Sequence, residues 1–490
     1  MFFRLERNEA IQRMAESRRD RAASIWRLGV GERRVLLIAV DLLMAGVALG
    51  LATFIWFTST SQPNGIGVGE FFQERPPAWF YFLPFYWVLL LLETYDPRRS
   101  SDWRQTLNGL FLAAVIGMGI YVIFYFASSP NTLPRRSVAT FAISAWGLTT
   151  LWRFLYIRIF TSPQFTRRAI LMGAGSTGEA LLQVLTEMQP SPYQIVGLLD
   201  DDPKKRGARM NGHEIVGGSN DLLPLIKNLG VSDVLIAISG RMQDKTFKVI
   251  LEAQEQGAEI IRMPVAYEEL LDRVPINYLE ADWLIRSFVD DARVNRFYQL
   301  AKRVIDIIGG VIGCLVLVVL APILSFLILV ESGRPVIFYQ WRAGKAGKPY
   351  RIIKFRTMRV DAEKDVGPQL AQERDERTSL LGRFMRKSRL DEWPQFINVL
   401  RGDMSLVGPR PERPELVEHF EKQIPFYRAR LLAKPGITGW SQVNMGYAST
   451  IEEVSTKLEY DLYYIKRRNL ILEFVIILRT IATVFGFRGR

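Results

Sequence analysis

Apolar positions in the first third of the chain gather into four runs, about Val35–Phe57, Trp79–Leu92, Leu107–Phe126 and Ala139–Phe160. Runs of this kind predict helices that cross a bilayer, the second short and the last interrupted by Arg153 and Arg158. Arg18, Arg19, Arg21, Arg27, Arg33 and Arg34 precede the first run. That basic region is too long for a cleavable signal, and three more runs follow it. Arg75 lies alone in the first loop, whereas Arg98, Arg99 and Arg104 lie in the second, and Arg167 and Arg168 follow the fourth run. Arg135 and Arg136 weaken the count in the third loop. The best fit still puts both the N-terminus and the end of the fourth helix in the cytoplasm.

The pattern then changes to alternating strands and helices. "RRAILMGAGSTGEALLQVL" predicts a strand, a glycine turn and a helix, with Gly173, Gly175 and Gly178 in G-x-G-x-x-G spacing. Asp200 ends the next apolar run, where a ribose-binding acid would stand. "VSDVLIAIS" supplies another buried parallel strand. Two readings stay open: a dinucleotide site, or a degenerate Rossmann-like domain that kept its turn for packing alone. A fifth long run, Val304–Val330, is interrupted only by Asp306 and Ser325. Lys302 and Arg303 precede it and Arg334 and Arg342 follow it, so both of its ends are expected in the cytoplasm. Pro322 removes a helix hydrogen bond, which predicts a helix–break–helix that enters one leaflet and returns. Near the C-terminus, "NLILEFVIILRTIATVFG" predicts a helix that lies in the interface or packs against the dipping one.

Composition narrows the chemistry. A length of 490 residues allows about three domains. Hydrophobic residues make up 49% and charged residues 23%, which fits membrane segments joined to water-soluble parts. The net charge of +13 calls for an anionic partner: a membrane surface, nucleic acid or phosphorylated substrates. Cys314 is the lone cysteine, so no intrachain disulfide forms, and a reducing compartment fits. With only His213 and His419, histidine triads and Cys/His zinc sites are close to excluded. Catalysis must rest on carboxylates, cations or a cofactor.

Between Arg334 and Arg359 stand Arg342, Lys345, Lys348, Arg351, Lys354 and Arg356, with no acid among them. In "IIKFRTM", Lys354 and Arg356 alternate about Phe355, which predicts one shared face suited to a diphosphate. Farther on, "SRLDEWPQFINVLRGDMSLVGPRP" sets Asp391 beside Glu392. Pro394 is tolerated near a helix start, so the acids are expected in or before a first turn, with Ser388 in capping spacing to Asp391. There they could serve the helix dipole alone, or the dipole could hold Asp391 ionised as a nucleophile or Mg²⁺ ligand. Carboxylate attack on a diphosphate brings like charges together. Each uncompensated pair at ~4 Å costs on the order of 4 kcal/mol at an effective dielectric near 20. Arg386, Arg389, Arg410 and Lys434, with Lys354 and Arg356, are the cations that could offset this.

"KFRTM", "SRLDEWPQFINVLRGDMSLVGPRP" and "KPGITGWSQVN" together resemble the bacterial sugar transferase domain of polyprenyl-phosphate hexose-1-phosphate transferases, the monotopic phosphoglycosyl transferases. The likeness runs from about Gln299 to the C-terminus. With four spans and a Rossmann-like domain ahead of it, the chain looks like the large, exopolysaccharide-initiating branch. The resemblance implies that Asp391 attacks the β-phosphate of a nucleoside diphosphate sugar, with Glu392 completing the catalytic pair and Mg²⁺ held by both. Polyprenyl phosphate then takes the sugar phosphate. It also implies a re-entrant membrane helix and a homodimer, a bacterial inner-membrane setting, and no nucleic acid among the partners. Lys354, Arg356, Arg386, Arg410 and Lys434 become the expected phosphate ligands. Lys434 stands where many members have arginine, and Met445-Gly446-Tyr447 departs from their common Gly-Arg. The expected layout is a transmembrane region over residues 1–160 and a Rossmann-like α/β domain over 161–275. A linker over 276–300 then leads to a monotopic α/β catalytic domain over 301–490. An NAD-dependent sugar-nucleotide dehydratase is a rival, since Tyr350 and Lys354 have Tyr-x-x-x-Lys spacing; a nucleotide-gated membrane sensor is the non-enzymatic one.

Overall fold

The computed structural model describes residues 30–60, 78–95, 97–127, 135–160, 166–188, 191–240, 242–279, 296–358, 378–446 and 448–484. Expectations that rest on Arg18, Arg19, Arg21, Arg27, Arg75, Arg359 and Tyr447, and on residues 280–295 of the linker, lie outside these residues. Two compact units divide between Met263 and Pro264.

The four N-terminal apolar runs fold as helices α1 (Val30–Thr60), α2 (Leu83–Leu90, entered through a 3-10 turn), α3 (Trp103–Ala127) and α4 (Arg135–Phe160). By length and composition, residues 32–58 and 103–122 suit a membrane crossing, and 78–90 form a shorter apolar helix. α4 is 26 residues long but carries Arg153 and Arg158, which lower its hydropathy. Arg153 is fully buried. Its guanidinium meets the Asp41 carboxylate of α1 at 2.7 Å and donates to the Thr94 hydroxyl and carbonyl at 3.0 and 3.2 Å. A charge inside an apolar bundle is costly unless paired. This pair, with Thr94 after α2, ties three elements together.

The second part of this unit is a six-stranded sheet: β1 (Arg167–Met172), β2 (Tyr193–Leu199), β3 (Arg209–Met210), β4 (His213–Gly217), β5 (Asp233–Ile236) and β6 (Glu259–Arg262). Their order is β3-β4-β2-β1-β5-β6, and every pairing is parallel except β3 with β4. Helices α5 (Ser176–Glu187), α6 (Leu222–Leu229) and α7 (Asp244–Glu255) connect the strands. β1 and β5 are buried almost throughout, as parallel strands covered on both faces must be.

The second unit opens with α8 (Met263–Leu271). Glu268 on it is fully buried and takes Lys466 at 2.7 Å, and Val274 donates to the Glu459 carbonyl. These ties draw residues 264–279 into the C-terminal unit, earlier than the domain end expected at 275. Helix α9 (Arg296–Ser332) follows, 37 residues long. It runs helical through Pro322, so the break expected there is absent. One lost backbone donor is outweighed by packing on both sides of it, where Leu317, Leu324 and Ile328 share a core with Phe355 and Met385. The buried stripe of α9 continues back through Gly313, Gly310 and Asp306. A Cβ on Gly313 would stand 2.3 Å from the Phe396 ring, so the helix needs glycine to approach this closely. Val304, Ile308, Leu315, Val318, Phe326 and Val330 on the other faces are exposed.

Around α9 stand the antiparallel pair β7 (Ile337–Ala343) and β8 (Pro349–Phe355), helices α10 (Leu380–Lys387) and α11 (Gln395–Arg401), and the parallel pair β9 (Ser405–Val407) and β10 (Gly436–Thr438). Helices α12 (Pro414–Glu421), α13 (Trp440–Asn444), α14 (Ile451–Arg467) and α15 (Leu470–Val484) complete the unit. Of the two settings expected for the C-terminal helix, α15 packs. Its buried Glu473 accepts from Tyr298 and Lys302 of α9, each at 2.7 Å.

Removing one partner of a buried ion pair leaves the other charge stranded, at about 3–5 kcal/mol. Asp41→Ala should therefore lower the thermal stability of the detergent-purified protein sharply. Changing Asp41 and Arg153 together to Leu should recover most of it, as read by a melting curve.

Candidate active site

Asp391 and Glu392 lie in a single 3-10 turn, Leu390–Glu392, that leads through Trp393 and Pro394 into α11. Arg389 enters the turn with φ +56°, a left-handed conformation that reverses the chain after α10. Ser388 does not cap the acids. Its hydroxyl donates to the Phe384 and Met385 carbonyls and so closes α10 instead. Both acids are buried, but their surroundings differ. Glu392 Oε1 accepts from Lys354 at 2.9 Å and from Arg410 at 3.0 Å, while Oε2 lies 3.8 Å from Arg389. No hydrogen bond reaches the Asp391 carboxylate among the described residues.

This asymmetry separates their acidities. Burial would raise Glu392, but Arg410, Lys354 and Arg389 outweigh it and hold the carboxyl well below its ordinary range. For Asp391, burial and the adjacent Glu392 charge win over Lys354, Arg386 and Arg410, and push it up to about 6. The expectation that a helix dipole lowers Asp391 is thus overturned: the acids precede α11 in a separate turn, and desolvation is the larger effect. Lys354 is lowered by its own burial, with Glu392 opposing.

Long-range contacts build this constellation. Asn398 of α11 is fully buried, accepts from the Ile353 amide at 3.1 Å and donates to the Arg351 carbonyl at 2.9 Å. It therefore stitches α11 to the backbone of β8 on either side of Ile352 and fixes Lys354 beside Glu392. Arg410 leaves the loop after β9, with its other nitrogen on Gln442 Oε1 at 3.1 Å. The pairing of β9 with β10 places "VGPRP" beside "PGITGW". Arg386 is among the cations whose charge acts on Asp391, and it donates to the Thr357 hydroxyl at 3.0 Å. Asn398, Gln442 and Thr357 were not singled out from sequence; a polar residue inside the apolar "FINVL" run was the one available signal.

Two expected ligands stand elsewhere. β8 ends at Phe355, and Arg356 turns to the end of α9, where one nitrogen donates to the Ser332 and Gly333 carbonyls at 2.6 Å each. Lys354 and Arg356 therefore do not share a phosphate-facing surface. Lys434 sits with Arg303 against Gly402, and its charged neighbours are Arg303, Asp306, Lys345 and Asp403. The basic stretch as a whole disperses: Arg342 holds the Pro411 carbonyl, and Arg351 stacks over Tyr339. Tyr350 lies in the core with Ile352, Val399 and Met404, so the Tyr-x-x-x-Lys pair of a dehydratase is not assembled.

No group of three or more His, Cys, Asp or Glu that could hold a metal occurs among the described residues. At the acid pair the available donors are the Asp391 carboxylate and Glu392 Oε2. That set suits Mg²⁺, which takes one or two carboxylates and fills its shell with phosphate oxygens and water.

The glycine turn lies at the ends of β1 and β5, where the strand order reverses. A Cβ on Gly173, at φ +105°, would meet the Ala237 carbonyl at 2.5 Å, and one on Gly178 would meet the Gly173 carbonyl at 2.0 Å. Packing alone demands both. Gly175 is open. The Asp200 carboxylate is occupied by the Ala174 and Asp202 amides and by Lys205, at 2.8–2.9 Å.

Comparison with known proteins agrees with this division. The family model described as bacterial sugar transferase matches residues 297–487, and one described as CoA-binding domain matches 91–264. The chain is 42% identical to the UDP-N-acetylgalactosamine-undecaprenyl-phosphate N-acetylgalactosaminephosphotransferase of Aeromonas hydrophila, over 46% of this chain and 52% of that one. It is 30% identical to the UDP-glucose:undecaprenyl-phosphate glucose-1-phosphate transferase of Escherichia coli (strain K12), over 78% of this chain and 82% of that protein. It is 39% identical to the galactosyl transferase CpsE of Streptococcus agalactiae, over 84% and 94% respectively. The chain thus spans about half the length of the first relative and most of the other two. With the last two relatives matched over most of their length, the chain belongs to the bacterial sugar transferase family.

Proposed function

We propose that the chain transfers a hexose 1-phosphate from a UDP-sugar to undecaprenyl phosphate, through a phosphosugar ester on Asp391. One observation carries the covalent route: of two adjacent buried carboxylates, Glu392 is clamped by Lys354 and Arg410, whereas no hydrogen bond reaches Asp391 among the described residues. An Asp391 oxygen attacks the sugar-bearing β-phosphorus, the bond from that phosphorus to the bridging oxygen breaks, and UMP leaves. An oxygen of the lipid phosphate then attacks the same phosphorus and returns the Asp391 carboxylate. Lys354, Arg386, Arg389 and Arg410 outnumber the two acids and offset the like-charge approach. Bound Mg²⁺, held by the Asp391 carboxylate and Glu392 Oε2, would neutralise diphosphate charge. Glu392 stays ionised and keeps Lys354 and Arg410 aimed at the transfer site.

The membrane reading follows from α9. Its early part is tied to the α/β unit through Asp306, which accepts from Ser405 and Leu406 at 2.9 Å, and its end through Arg356. Contacts at both ends with one polar unit support a helix that, without the break expected at Pro322, stays within one leaflet and keeps both ends on the cytoplasmic face of a bacterial inner membrane. This sets the acid pair at the height of a lipid phosphate. We read the glycine turn of the first unit as a Rossmann-like fold feature kept for packing.

Four outcomes test these readings. The purified wild-type chain, given UDP-sugars and undecaprenyl phosphate, should release UMP. Asp391→Asn should abolish release and any phosphosugar adduct seen by mass spectrometry, and an active variant would refute the covalent step. Arg410→Ala should slow turnover by about 10²–10³-fold, as loss of a preorganised donor does, whereas Arg428→Ala, which breaks an exposed pair with Glu421, should change it little. Cysteines placed at Arg296 and at Ser332, with Cys314 replaced, should both resist impermeant reagent in intact cells; labelling of one alone would mean that α9 spans.

A further inference from the structure

The loop after β9 is held at four successive carbonyls. Pro409 accepts from the Gly436 amide at 2.9 Å, Arg410 from the Arg430 guanidinium at 3.0 Å, Pro411 from Arg342 at 3.1 Å, and Glu412 from the Ala343 amide at 2.9 Å. A loop of two prolines around one arginine has little backbone freedom left after this. Arg430 is 4% exposed, and the nitrogen that holds the Arg410 carbonyl also donates to Asp461 Oδ2 at 2.8 Å. Asp461, 1% exposed on α14, accepts the Ser441 hydroxyl on its other oxygen at 2.7 Å. Ser441 immediately precedes Gln442, whose Oε1 receives Arg410 Nη1.

These contacts close a ring: Arg410 main chain, Arg430, Asp461, Ser441–Gln442, Arg410 side chain. We propose that Asp461 is a positioning residue for Arg410, fixing through one carboxylate both the backbone that carries Arg410 and the amide that orients its guanidinium toward Glu392. Asp461 touches no reacting atom in this account. Its two oxygens serve two branches that must agree for Arg410 Nη2 to reach Glu392 at 3.0 Å. An acceptor facing Arg430 is essential to this. Asparagine keeps the shape, and with its oxygen toward Arg430 and its amide toward the Ser441 hydroxyl it can meet both partners, but it replaces the charged acceptor by a weaker neutral one and leaves the buried guanidinium without that carboxylate.

The kinetic part of this inference rests on the proposed transferase activity. Asp461→Asn should lower kcat for UMP release roughly 30-fold or more, with KM for the UDP-sugar within about threefold, because the interaction lost belongs to the transfer step. In an Arg410→Ala background the same change should add less than about threefold, since residues acting as a unit are not additive. A merely structural role would give independent effects, and multiplicative loss in the double variant overturns the proposal. A second readout does not depend on activity: phenylglyoxal modification of Arg410, located by peptide mass spectrometry, should run several-fold faster in Asp461→Asn. An unchanged rate overturns the ring. If wild type releases no UMP, the transferase reading falls, and the modification rate alone decides the ring. Should Asp461→Asn not fold, Ser441→Ala cuts only the branch to Gln442, and it should show the same non-additivity and faster modification on a smaller scale.

Discussion

Two carboxylates side by side in a buried turn repel each other, and the catalytic unit is organised around that repulsion. Burial and mutual charge would drive both toward the neutral form. Lys354 and Arg410 converge on one oxygen of Glu392 and reverse this for that residue, while among the described residues no hydrogen bond reaches the Asp391 carboxylate. The same adjacency that makes the pair costly separates the two acids, because one is committed to organising cations while the other is left for the attack on phosphorus proposed above. Each cation must then be brought from a distant stretch of chain. Lys354 is 38 residues before Glu392 and comes on β8; Arg410 is 18 residues after it and comes on the loop behind β9.

Asn398 and Asp461 are the two buried polar residues that make this assembly definite. Asn398 bonds the backbone of β8 on both sides of Ile352, and Asp461 bonds both branches of the Arg410 loop. Buried polar groups of this kind are costly when half satisfied and rigid when fully satisfied. A loop or strand that slipped by one residue would strand them. The acid pair is thereby held from one side by α11 and β8, and from the other by α14 and β10.

How much of this was legible in the sequence follows from the range of each interaction. The helices of the first unit, the glycine turn and the acid pair rest on runs or spacings within a few residues, and all are where the pattern put them. Reasoning from local pattern failed wherever a side chain had a competing partner elsewhere. Arg356 alternates with Lys354 in sequence, but the open carbonyls at the end of α9, 23 and 24 residues away, claim it. Ser388 has capping spacing to Asp391, yet the carbonyls of α10 lie behind it and take the hydroxyl. Lys434 belongs to a motif that does reach the site through β10, but its own side chain points to Gly402 and Arg303. Arg153 reads as an interruption of an apolar run; its reason is Asp41, 112 residues earlier. No spacing rule connects residues that far apart.

Pro322 shows the same competition acting on backbone. Proline removes one hydrogen bond and crowds the preceding turn, which locally favours a break. Against that stands a stripe from Asp306 to Ile328 in which the helix is packed on both sides of the proline, by Phe396 and Leu400 at the glycines and by Phe355 and Met385 at Leu324 and Ile328. The helix axis is set by these contacts, so its course is dictated by the catalytic unit and not by proline alone. The glycines let α11 approach within side-chain contact of α9, and α11 follows directly from the turn that carries Asp391 and Glu392. If α9 dips into the membrane as proposed, it fixes more than attachment: its depth, transmitted through the close approach of Phe396 to Gly313, would set how far from the lipid phosphates the acid pair stands.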